Sequence, residues 1–501
     1  MQKSVLDWLD LAACRFGDKT VFQTKENSIC FSRLLHQSKA IGSYLCGQIM
    51  PRSPVAVLTG RRVDTPACFL GIVQAGCFYA PMDASMPVPR LRQNLEVLQA
   101  SHMIVDREHL ETATALHFSG HIHVLEDILQ TPVQEERLAA IRRAITEEDP
   151  LYVIFTSGSS GIPKGVITSH HALMCYIESV QKVLQLSDSD VLGNQSPLDY
   201  IAAIRDIYLP LLTGASTVIL PKNEFSMPTQ LFETLDTYGV TTLCWSVAGL
   251  EVPAKLHAFD SVKPHFLKKV IFSGSVMPGH VLRVWQQNLP ETVFINQYGP
   301  TEATASCTYH VVTETVQDDT VLPIGIPYEN YRVVLLNEDG TETPDGQTGE
   351  ICISGPALAL GYYHDPVRTA QSFIPNPLCP QYRSLLYKTG DLGSWNEQGE
   401  LEFHGRRDRQ IKHMGHRIEL DEIEKTAGMV AGIEQCCALY QKEKEQLWLF
   451  YTGEATSRDI VLHFRQEMPA FMVPRKLMKL SAMPCLPNGK TDMRTLLSYM
   501  K

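Results

Sequence analysis

No stretch of the 501-residue sequence is apolar over the roughly 18 residues that a membrane-spanning helix requires. The first residues, MQKSVLDWLDLAACRFGD, lack the small-residue cleavage pattern of a signal peptide. A basic surplus is also lacking, because 55 acidic side chains outnumber 44 basic ones and the net charge is −11. The sequence therefore predicts a cytoplasmic protein that binds neither membranes nor nucleic acid.

The thirteen cysteines lack the spacings of a structural metal or disulfide framework. They include no C-x-x-C pair and no cysteine–histidine group at zinc-binding spacing, and neighbours such as Cys436 and Cys437 rarely bridge. This pattern favours reduced, buried thiols in a reducing compartment. Internal repeats are absent too, so a repeat architecture is excluded.

What the sequence does contain is a series of short β-rich runs that alternate with helical patterns. Runs such as YVIFTSG, STVILP and KKVIFSG are apolar with little interruption, as expected of strands covered on both faces of a mixed or parallel α/β sheet. From about residue 325, RVVLLNEDGTETPDGQTGEICISG has the glycine and aspartate turns of an antiparallel segment. From about residue 405, a basic strand with glycines precedes an acidic amphipathic helix.

These features predict the fold class and the domains. At 501 residues the chain exceeds the size of one ordinary hydrophobic core. We expect an α/β protein with a large N-terminal domain of mixed α/β sheets and a small antiparallel β segment, followed by a small mobile α+β C-terminal domain. The composition shift predicts the boundary between residues 1–406 and residues 407–501.

Residues 152–166, YVIFTSGSSGIPKGV, contain the strongest local signal for ligand binding. A β-branched and aromatic strand is followed by the small residues Thr156 to Gly161 and then by Pro163, Lys164 and Gly165. Small residues allow backbone N–H groups and hydroxyls to converge on an anion, and the lysine adds positive charge. The pattern favours a phosphate-binding loop over a flexible surface loop. It is not a Walker loop, because GxxxxGK[ST] is absent.

This loop resembles the signature loop of the adenylate-forming superfamily, which includes acyl-CoA synthetases, luciferases and the adenylation domains of peptide synthetases. The family's other motifs follow in the expected order. They are QYGPTEAT at 297–304, YKTGDLG at 387–393, GRRDRQIKHMGHRIELDEIE at 405–424 and LPNGKTDMRTL at 486–496. With LGIVQAGCFYAPMDASMP at 70–87 and GEICISGPALALGYY at 349–363, the resemblance covers nearly the whole chain.

The resemblance implies an adenylation reaction that uses ATP and Mg²⁺ and releases pyrophosphate. Two anions, the acid and the α-phosphate, meet in such a reaction, so the site has to neutralise charge. The residues that the resemblance assigns to catalysis are Lys490, Thr301, Glu302 and Lys164, and Glu302 is also the implied Mg²⁺ ligand. Those that it assigns to ATP binding are Thr156, Ser157, Gly158, Ser159, Ser160, Gly274, Asn296, Tyr298, Asp391 and Arg406.

Several individual roles follow from the same resemblance. Tyr298 would stack on adenine, Thr301 would contact the α-phosphate, and Asp391 would accept hydrogen bonds from two ribose hydroxyls. Lys490 would bridge the attacking carboxylate and the α-phosphate. Asp408 is the implied hinge, about which the C-terminal domain turns so that a thiol reaches the acyl-adenylate.

Two thiols are candidates for the acyl acceptor. The spellings TSGSSGIPKGV and YGPTEAT are similar to those of peptide-synthetase adenylation domains, and the chain ends 11 residues after Lys490, too soon for a fused carrier domain. Both features resemble free-standing amino-acid adenylation enzymes such as the D-alanine–carrier protein ligases. We therefore expect transfer to the phosphopantetheine thiol of a separate carrier protein. The alternative is coenzyme A, as in an acyl- or aryl-CoA ligase.

Residues 196–215, SPLDYIAAIRDIYLPLLTGA, fall where the family has its acid-binding pocket. A gapless count back from LLTGA puts Ile201 where amino-acid-activating members have an aspartate for the substrate's α-ammonium group. A buried ammonium that faces isoleucine lacks a partner, so an ordinary α-amino acid is disfavoured. Asp199, two residues earlier, is the candidate partner for a displaced amino group, as in a β-amino acid.

The same count makes Arg205 a pocket residue that favours a second carboxylate on the substrate. The other candidates for the pocket are Cys244, Ile271, Ser273, Gln297, Ala305 and Ser306. A structural alternative also fits the pattern. In it, Asp199 is the N-cap of a helix that starts at Tyr200, and Arg205 and Asp206 lie on its solvated face.

Overall fold

The computed structural model describes residues 3–158, 161–485 and 491–500. The chain divides into two units, each assembled from segments that are distant in sequence. Unit 1 comprises Met1–Asp83, Leu98–Ile154 and Val166–Arg407. Unit 2 comprises Ala84–Val97, Phe155–Gly165 and Asp408–Lys501. The predicted domain boundary between residues 406 and 407 stays a prediction.

The helices and strands alternate along the chain. Up to residue 184 they are α1 (Val5–Phe16), β1 (Thr20–Gln23), β2 (Ser28–Cys30), α2 (Phe31–Leu45), β3 (Pro54–Leu58), α3 (Thr65–Gln74), β4 (Phe78–Pro81), α4 (Val88–Leu98), β5 (His102–Val105), α5 (Leu110–Ala115), β6 (His121–Val124), α6 (Leu125–Ile128), α7 (Glu135–Ala144), β7 (Pro150–Thr156), β8 (Lys164–Ser169) and α8 (His170–Leu184).

The middle of the chain continues this alternation and then becomes rich in strands. Its elements are β9 (Val191–Asn194), α9 (Ala203–Thr213), β10 (Ser216–Ile219), α10 (Pro228–Thr237), β11 (Thr242–Ser246), α11 (Val247–Lys255), β12 (Lys269–Ser273), α12 (Gly279–Asn288), β13 (Val293–Tyr298), β14 (Thr308–Val312), β15 (Ile326–Pro327), β16 (Arg332–Leu336), β17 (Gly349–Ser354), β18 (Gly361–Tyr362), α13 (Pro366–Ser372), β19 (Phe373–Pro375), β20 (Leu385–Trp395) and β21 (Leu401–Arg406).

The C-terminal part has shorter helices between its strands. Its elements are β22 (Gln410–His413), β23 (His416–Glu419), α14 (Leu420–Gly428), β24 (Ile433–Gln441), β25 (Gln446–Gly453), α15 (Ser457–Glu467), β26 (Lys476–Lys479) and α16 (Met493–Ser498).

Unit 1 contains two large mixed sheets. Among the described residues, one has the strand order β15-β14-β13-β12-β11-β9-β10-β1-β2 and the other β18-β8-β7-β4-β3-β5-β6. The pairs β9–β10, β11–β12, β12–β13 and β3–β4 are parallel, whereas β13–β14 and β1–β2 are antiparallel. The uninterrupted apolar runs therefore predicted these strands correctly, because strands of a parallel sheet are buried on both faces.

A smaller sheet of unit 1 has the order β16-β17-β20-β19, with β21 paired to β20. Its pairs are antiparallel, as the turn-rich sequence after residue 325 predicts. The register of β20 and β21 sets Asp391 directly opposite Arg406. This sheet thus brings together two residues whose motifs are separate in sequence.

The C-terminal part of unit 2 is an α+β unit. Strands β22 and β23 form a hairpin, and β24, β25 and β26 form a second sheet in that order. Helices α14 and α15 contribute Ile423 and Phe464 to a core that also contains Ile418 and Leu449. With these sheets, the predicted fold class is confirmed.

Two buried tryptophans belong to the apolar core beside the first sheet of unit 1. The indole N–H of Trp245 donates to the Gly193 carbonyl at 2.8 Å, and that of Trp285 donates to the Leu250 carbonyl at 2.9 Å. The ring of Phe259 meets Trp285 edge-on, with 5.0 Å between centroids. Buried indole N–H groups ordinarily have a hydrogen-bond acceptor, and both of these have one.

Two further expectations concern membranes and thiols. Within the described residues, no helix combines the length and the apolar character that crossing a membrane requires. All thirteen cysteines are described and are free thiols, as predicted. Six of them are buried: Cys68, Cys77, Cys244, Cys307, Cys352 and Cys437. The expectation of buried thiols is therefore right for fewer than half of them.

Unit 2 contains a buried ion pair between α4 and α14. Arg90 Nη1 lies 2.6 Å from Glu422 Oε1, and the two side chains are 10% and 1% exposed. Burial raises the pKa of Glu422, and the charge of Arg90 opposes that rise. The second carboxylate oxygen of Glu422 is buried with no hydrogen-bond partner among the described residues. The buried carboxylate of Glu422 therefore depends on Arg90 for its hydrogen bond and for its opposite charge.

Replacing Arg90 by methionine should destabilise unit 2 by about 3–5 kcal/mol, because it leaves a buried carboxylate uncompensated. The double variant Arg90→Met, Glu422→Met should recover most of this loss, because it removes both charges. Urea unfolding followed by circular dichroism measures both. The exposed pair Arg107–Asp127, with side chains 62% and 64% exposed, is the control, and Arg107→Met should have almost no effect. An Arg90→Met protein as stable as the wild type would contradict this account.

Candidate active site

The carboxyl ends of β11, β12 and β13 bring several predicted residues together in unit 1. Cys244 lies on β11, and Ser273 at the end of β12 pairs in register with Gln297 on β13. Gly274 follows β12 with a φ of +95°, and a Cβ there would meet no atom within 4 Å. This edge of a parallel sheet is where α/β proteins bind ligands, and here it borders open space.

The turn after β13 has an unusual backbone. A Cβ on Gly299 would lie 2.4 Å from Ser306 Cα, so only glycine fits this close approach. Thr304 and Ala305 have φ values of 52° and 76°, in a region that is costly for residues with a side chain. The Thr304 hydroxyl donates to the Ala357 carbonyl at 2.7 Å. Strain of this kind concentrates at functional sites, where the surrounding structure maintains it.

Asp391 is the centre of the predicted ribose site. The guanidinium of Arg406 donates to Asp391 Oδ1 and, at 3.1 Å, to the Thr389 carbonyl. The hydroxyl of Tyr298 donates to Asp391 Oδ2. An ionised carboxylate has about four acceptor positions, so these two bonds leave Asp391 with capacity for a ribose hydroxyl. The structure thus joins three residues from three separate predicted motifs.

Glu302, the predicted magnesium ligand, is 0% exposed and lies in the short helical turn Thr301–Ala303. The Tyr362 hydroxyl donates to Glu302 Oε1 at 2.8 Å and so orients the carboxylate. Among the described residues, no three His, Cys, Asp or Glu side chains form a metal-binding group. Mg²⁺ typically binds one or two carboxylates together with the phosphates of its nucleotide. A single oriented carboxylate fits that mode of binding.

The remaining ATP-site prediction in unit 1 is Asn296, which is buried on β13. Its side-chain amide donates to the Pro323 carbonyl at 2.8 Å. This bond uses the amide nitrogen of Asn296, so the acceptor that the side chain offers is its amide oxygen. Thr301, predicted to contact the α-phosphate, is also buried.

Unit 2 contains the predicted phosphate loop, apart from Ser159 and Ser160, which lie outside the described residues. Thr156 ends β7, and its hydroxyl is buried with no hydrogen-bond partner in the part of the chain that the structure describes. The Ser157 hydroxyl donates to the Arg417 carbonyl at 2.7 Å within the same unit. Lys164 is buried at the start of β8. A buried hydroxyl without a partner requires an external one, which fits a phosphate-binding loop.

Two predicted residues, Asp408 and Lys490, belong to the C-terminal part of the chain. Asp408 is the first residue of that part of unit 2, and its Oδ1 accepts from the Gln410 amide at 3.2 Å. Its role as a hinge stays a prediction. Lys490 lies outside the described residues.

The structural alternative for residues 196–215 is wrong. Helix α9 begins at Ala203 rather than at Tyr200, and its N-cap residue makes no side-chain cap. Arg205 and Asp206 are each 1% exposed, so neither lies on a solvated face. The helix is apolar around most of its circumference, and it is therefore buried on all sides together with its two charges.

The predicted pocket residues form two polar groups around α9. In one, Arg205 donates to Gln297 Oε1, and Gln297 Nε2 donates to the Tyr328 hydroxyl at 2.6 Å. Nearby, the hydroxyls of Tyr176 and Ser306 are 3.0 Å apart. Burial raises the pKa of the Cys244 thiol to about 12, so this residue is neutral.

The second group comprises residues before the helix and Asp206 in its first turn. Desolvation, with the Asp83 carboxylate nearby, raises the pKa of Asp199 to about 7. Ile201 is buried and belongs to the apolar core. Asn194 Nδ2 donates to Asp206 Oδ2 at 2.7 Å.

Three residues of the site were missed by sequence reasoning: Tyr176, Tyr328 and Tyr362. Tyr362 lies inside the GYY of a motif that the resemblance had identified, so a signal for it existed. Tyr176 is one of several apolar positions on α8, and nothing in its local pattern distinguishes it.

The chain matches the AMP-binding enzyme family over residues 9–363. It belongs to this family. This AMP-binding enzyme is 30% identical over 508 residues to the D-alanine–D-alanyl carrier protein ligase of Bacillus cereus (strain AH187), covering 99% of both chains. The ligase of the same name from Bacillus mycoides (strain KBAB4) matches it equally, at 30% identity over 99% of both chains.

Solved structures agree with the fold. The Vibrio cholerae adenylation domain AlmE, in complex with glycyl-adenosine-5'-phosphate, superposes with a TM-score of 0.85 at 22% identity, covering 100% of this chain and 98% of that one. The amide bond synthetase McbA from Marinactinospora thermotolerans superposes with a TM-score of 0.86 at 19% identity, covering 98% and 99%. At these identities the likeness concerns the fold alone.

Family membership establishes the type of reaction. The AMP-binding enzyme is an AMP-forming ligase that uses ATP with Mg²⁺. The predicted reaction type and cofactors are thereby confirmed.

Replacing Asp391 by asparagine should raise the KM for ATP about ten- to hundredfold, because hydrogen bonds to a charged group contribute about 1.5–3 kcal/mol. The variant keeps the shape of the side chain but loses its charge and half of its acceptor oxygens. Steady-state kinetics at varied ATP concentration measures the effect. Asp345→Asn, at an exposed position of the same unit, is the control. An unchanged KM for ATP would contradict the predicted role of Asp391 in nucleotide binding.

Proposed function

We propose that this AMP-binding enzyme activates a carboxylic acid as an acyl-adenylate and then transfers the acyl group to the phosphopantetheine thiol of a separate carrier protein. The observation that supports the adenylation step is the arrangement around Asp391. Tyr298 and Arg406 orient this carboxylate, which lies in the predicted ribose motif. The carrier is supported by relatives that are named carrier protein ligases and match over 99% of both chains.

The first half-reaction joins the acid to the α-phosphorus of ATP. A carboxylate oxygen of the acid forms the new P–O bond, and the bond to the pyrophosphate oxygen breaks. In this proposal Asp391 and Arg406 orient the ribose, and Thr156 and Lys164 bind phosphate oxygens. Mg²⁺, which Glu302 would hold, supplies neutralisation of phosphate charge. Lys490 contacts both the acid and the α-phosphate.

In the second half-reaction the carrier thiolate attacks the acyl carbon, and AMP leaves with the electron pair of the broken C–O bond. The proton of the thiol passes to solvent or to a base. This step requires a different arrangement of the catalytic groups from the first step. The thiol has to reach the acyl carbon of the same acid group that Lys490 contacts during adenylation. A rotation about Asp408 is the proposed means.

The proposed acid is a non-standard amino acid, such as a β-amino acid. Ile201 is buried and apolar, so it offers no acceptor to an α-ammonium group. Asp199 is the proposed partner of the displaced amino group. The raised pKa of Asp199, about 7, is consistent with a carboxylate that is destabilised until a cation lies beside it.

The spelling of the motifs supports a role in nonribosomal peptide synthesis or related secondary metabolism. The free thiols support a cytoplasmic location, since disulfides are rare in reducing compartments. Both are parts of the proposal.

The proposed function is tested by ATP–pyrophosphate exchange with a panel of α-amino, β-amino, aryl and dicarboxylic acids. We expect exchange with a β-amino or other non-standard acid and little with the ordinary L-α-amino acids. Phosphopantetheinylated carrier proteins and coenzyme A are then compared as acceptors of the labelled acyl group. Exchange with ordinary L-amino acids alone would overturn the interpretation of Ile201, and transfer to coenzyme A alone would replace the carrier.

Lys490→Ala serves as the catalytic control in this assay. It should lower exchange by about 100-fold or more while ATP binding stays measurable, because a charge that stabilises the transition state is lost. Lys442→Ala, at an exposed position, should exchange normally. Near-normal exchange by Lys490→Ala would contradict the proposed role of Lys490.

Replacing Asp408 by proline should slow thioester formation far more than adenylation, because proline fixes φ at the residue about which the rotation is proposed. Exchange and single-turnover thioester formation separate the two half-reactions. Asp408→Asn retains the freedom of the backbone and is the matched variant. Equal losses in both half-reactions for Asp408→Pro would argue against the hinge.

A further inference from the structure

Arg205 carries a positive charge into the interior of unit 1, and none of the described carboxylates lies within ion-pair distance of it. The residue is 1% exposed, and no ion pair joins it to any residue that the structure describes. Its Nε is buried without a hydrogen-bond partner among the same residues. Buried guanidinium groups are ordinarily paired, because removing an ion from water costs several kcal/mol. This charge therefore lacks its usual compensation.

The groups around Arg205 are neutral. Its guanidinium donates to the amide oxygen of Gln297, and Gln297 in turn donates to the Tyr328 hydroxyl at 2.6 Å. The tyrosines and Cys244 are held in their neutral forms, since burial raises the pKa of Tyr176 and of Cys244. These dipoles orient the guanidinium but bring no negative charge.

Asp206 follows Arg205 in the chain, and each of the two charges favours the charged form of the other, but no ion pair joins them among the described residues and the Asp206 carboxylate hydrogen-bonds elsewhere. Its Oδ2 accepts from Asn194 at 2.7 Å, and its Oδ1 is buried without a partner among the described residues. Asn194 Oδ1 accepts from Arg61 at 2.9 Å, so Asp206 lies in a group that has a second arginine. Burial raises the pKa of Asp206 to about 7, which weakens it further as a permanent counter-charge.

Arg205 is connected through Gln297 to the carboxyl edge of the sheet. Gln297 lies at the carboxyl end of β13, in register with Ser273 of β12. The next residue, Gly274, faces open space, because a Cβ there would meet no atom within 4 Å. The uncompensated charge therefore belongs to a polar network at the edge of the sheet where a substrate is expected.

We infer that the acid activated by this enzyme carries a second anionic group, a carboxylate that is not adenylated and that pairs with Arg205. The substrate class is a dicarboxylic acid, including an amino dicarboxylic acid whose amino group is not α to the carboxyl that is adenylated. A guanidinium and a carboxylate match each other's geometry through two parallel hydrogen bonds, which Gln297 alone does not supply. This inference rests on the proposed adenylation of an acid, and it specifies what that acid contains.

The test compares each diacid with the amide that has the same shape and one charge fewer. The pairs are aspartate and asparagine, glutamate and glutamine, 3-aminopentanedioic acid and its monoamide, and succinate and succinamate. In ATP–pyrophosphate exchange, kcat/KM for the preferred acid should exceed that for its amide by about tenfold or more, because a charge-assisted pair is lost in the amide. In Arg205→Met this ratio should fall towards one, and in Arg205→Lys it should be intermediate.

Arg62→Met is the matched control. Arg62 is in the same unit and pairs with Asp64 and Glu126, so removing its charge should leave the acid-to-amide ratio unchanged. Thermal unfolding and ATP binding verify that each variant is folded. If Arg205→Met does not fold, the lowered ratio in Arg205→Lys decides whether Arg205 is the partner of the second carboxylate.

The outcomes separate this inference from the proposed function. Exchange with a monocarboxylic acid only, equal use of acid and amide, or an unchanged ratio in a folded Arg205→Met would overturn the inference and leave adenylation intact. In those cases the dipoles and Asp206 suffice, and Arg205 is structural. A failure of every acid to support exchange would contradict the proposed function itself.

Discussion

The requirement that buried charges be compensated determines much of this structure. A charged side chain that leaves water costs several kcal/mol unless hydrogen bonds or an opposite charge replace its hydration. Asp391 meets this requirement through Tyr298 and Arg406, and in unit 2 Glu422 meets it through Arg90. The contacts Tyr298–Asp391 and Arg90–Glu422 join segments that are far apart in sequence. The polar groups of the site are therefore also connections that maintain the fold.

Arg61 shows how this requirement shapes the pocket. Its guanidinium donates to the carbonyls of Asn194, Gln195 and Ser196 and to that of Leu220. Backbone carbonyls that a side chain satisfies do not need a helix to satisfy them. The chain between β9 and α9 can thus remain irregular, and α9 begins only at Ala203. Asp199 and Ile201 consequently lie in a loop. Arg61, from another part of the chain, fixes the position of the residues that lead into this loop.

The sequence was sufficient for the properties that short motifs and local periodicity encode. Uninterrupted apolar runs predicted the parallel strands, turn residues predicted the antiparallel sheet, and motif order predicted the family. It was insufficient where one residue's environment comes from distant segments. Arg205 lies next to Asp206 in sequence, and a charged pair in a helix ordinarily faces solvent. Only the positions of Gln297 and Tyr328, 92 and more residues away, show that it is buried in a polar network.

The division of the chain into two units also could not be predicted completely from the sequence. A composition shift near residue 405 indicates a C-terminal region, but composition contains no signal that Ala84–Val97 associates with it. One contact of that association joins an arginine of α4 to a glutamate of α14, 332 residues apart. Single long-range pairs of this kind leave no periodic trace in the sequence. Such pairs can be recognised only in the structure, where the two residues are in contact.

Ile201, Asp199 and Arg205 together restrict the acid more than any of them does alone. Ile201 removes the usual acceptor for an ammonium group, and Asp199 and Arg205 supply one negative and one positive position. A neutral side chain would leave the Arg205 charge uncompensated, and a carboxylate alone would leave Asp199 with its raised pKa of about 7. An acid with both an amino group and a second carboxylate satisfies both positions without changing the net charge of the pocket. Charge balance thus favours an amino dicarboxylate over either a simple β-amino acid or a simple diacid.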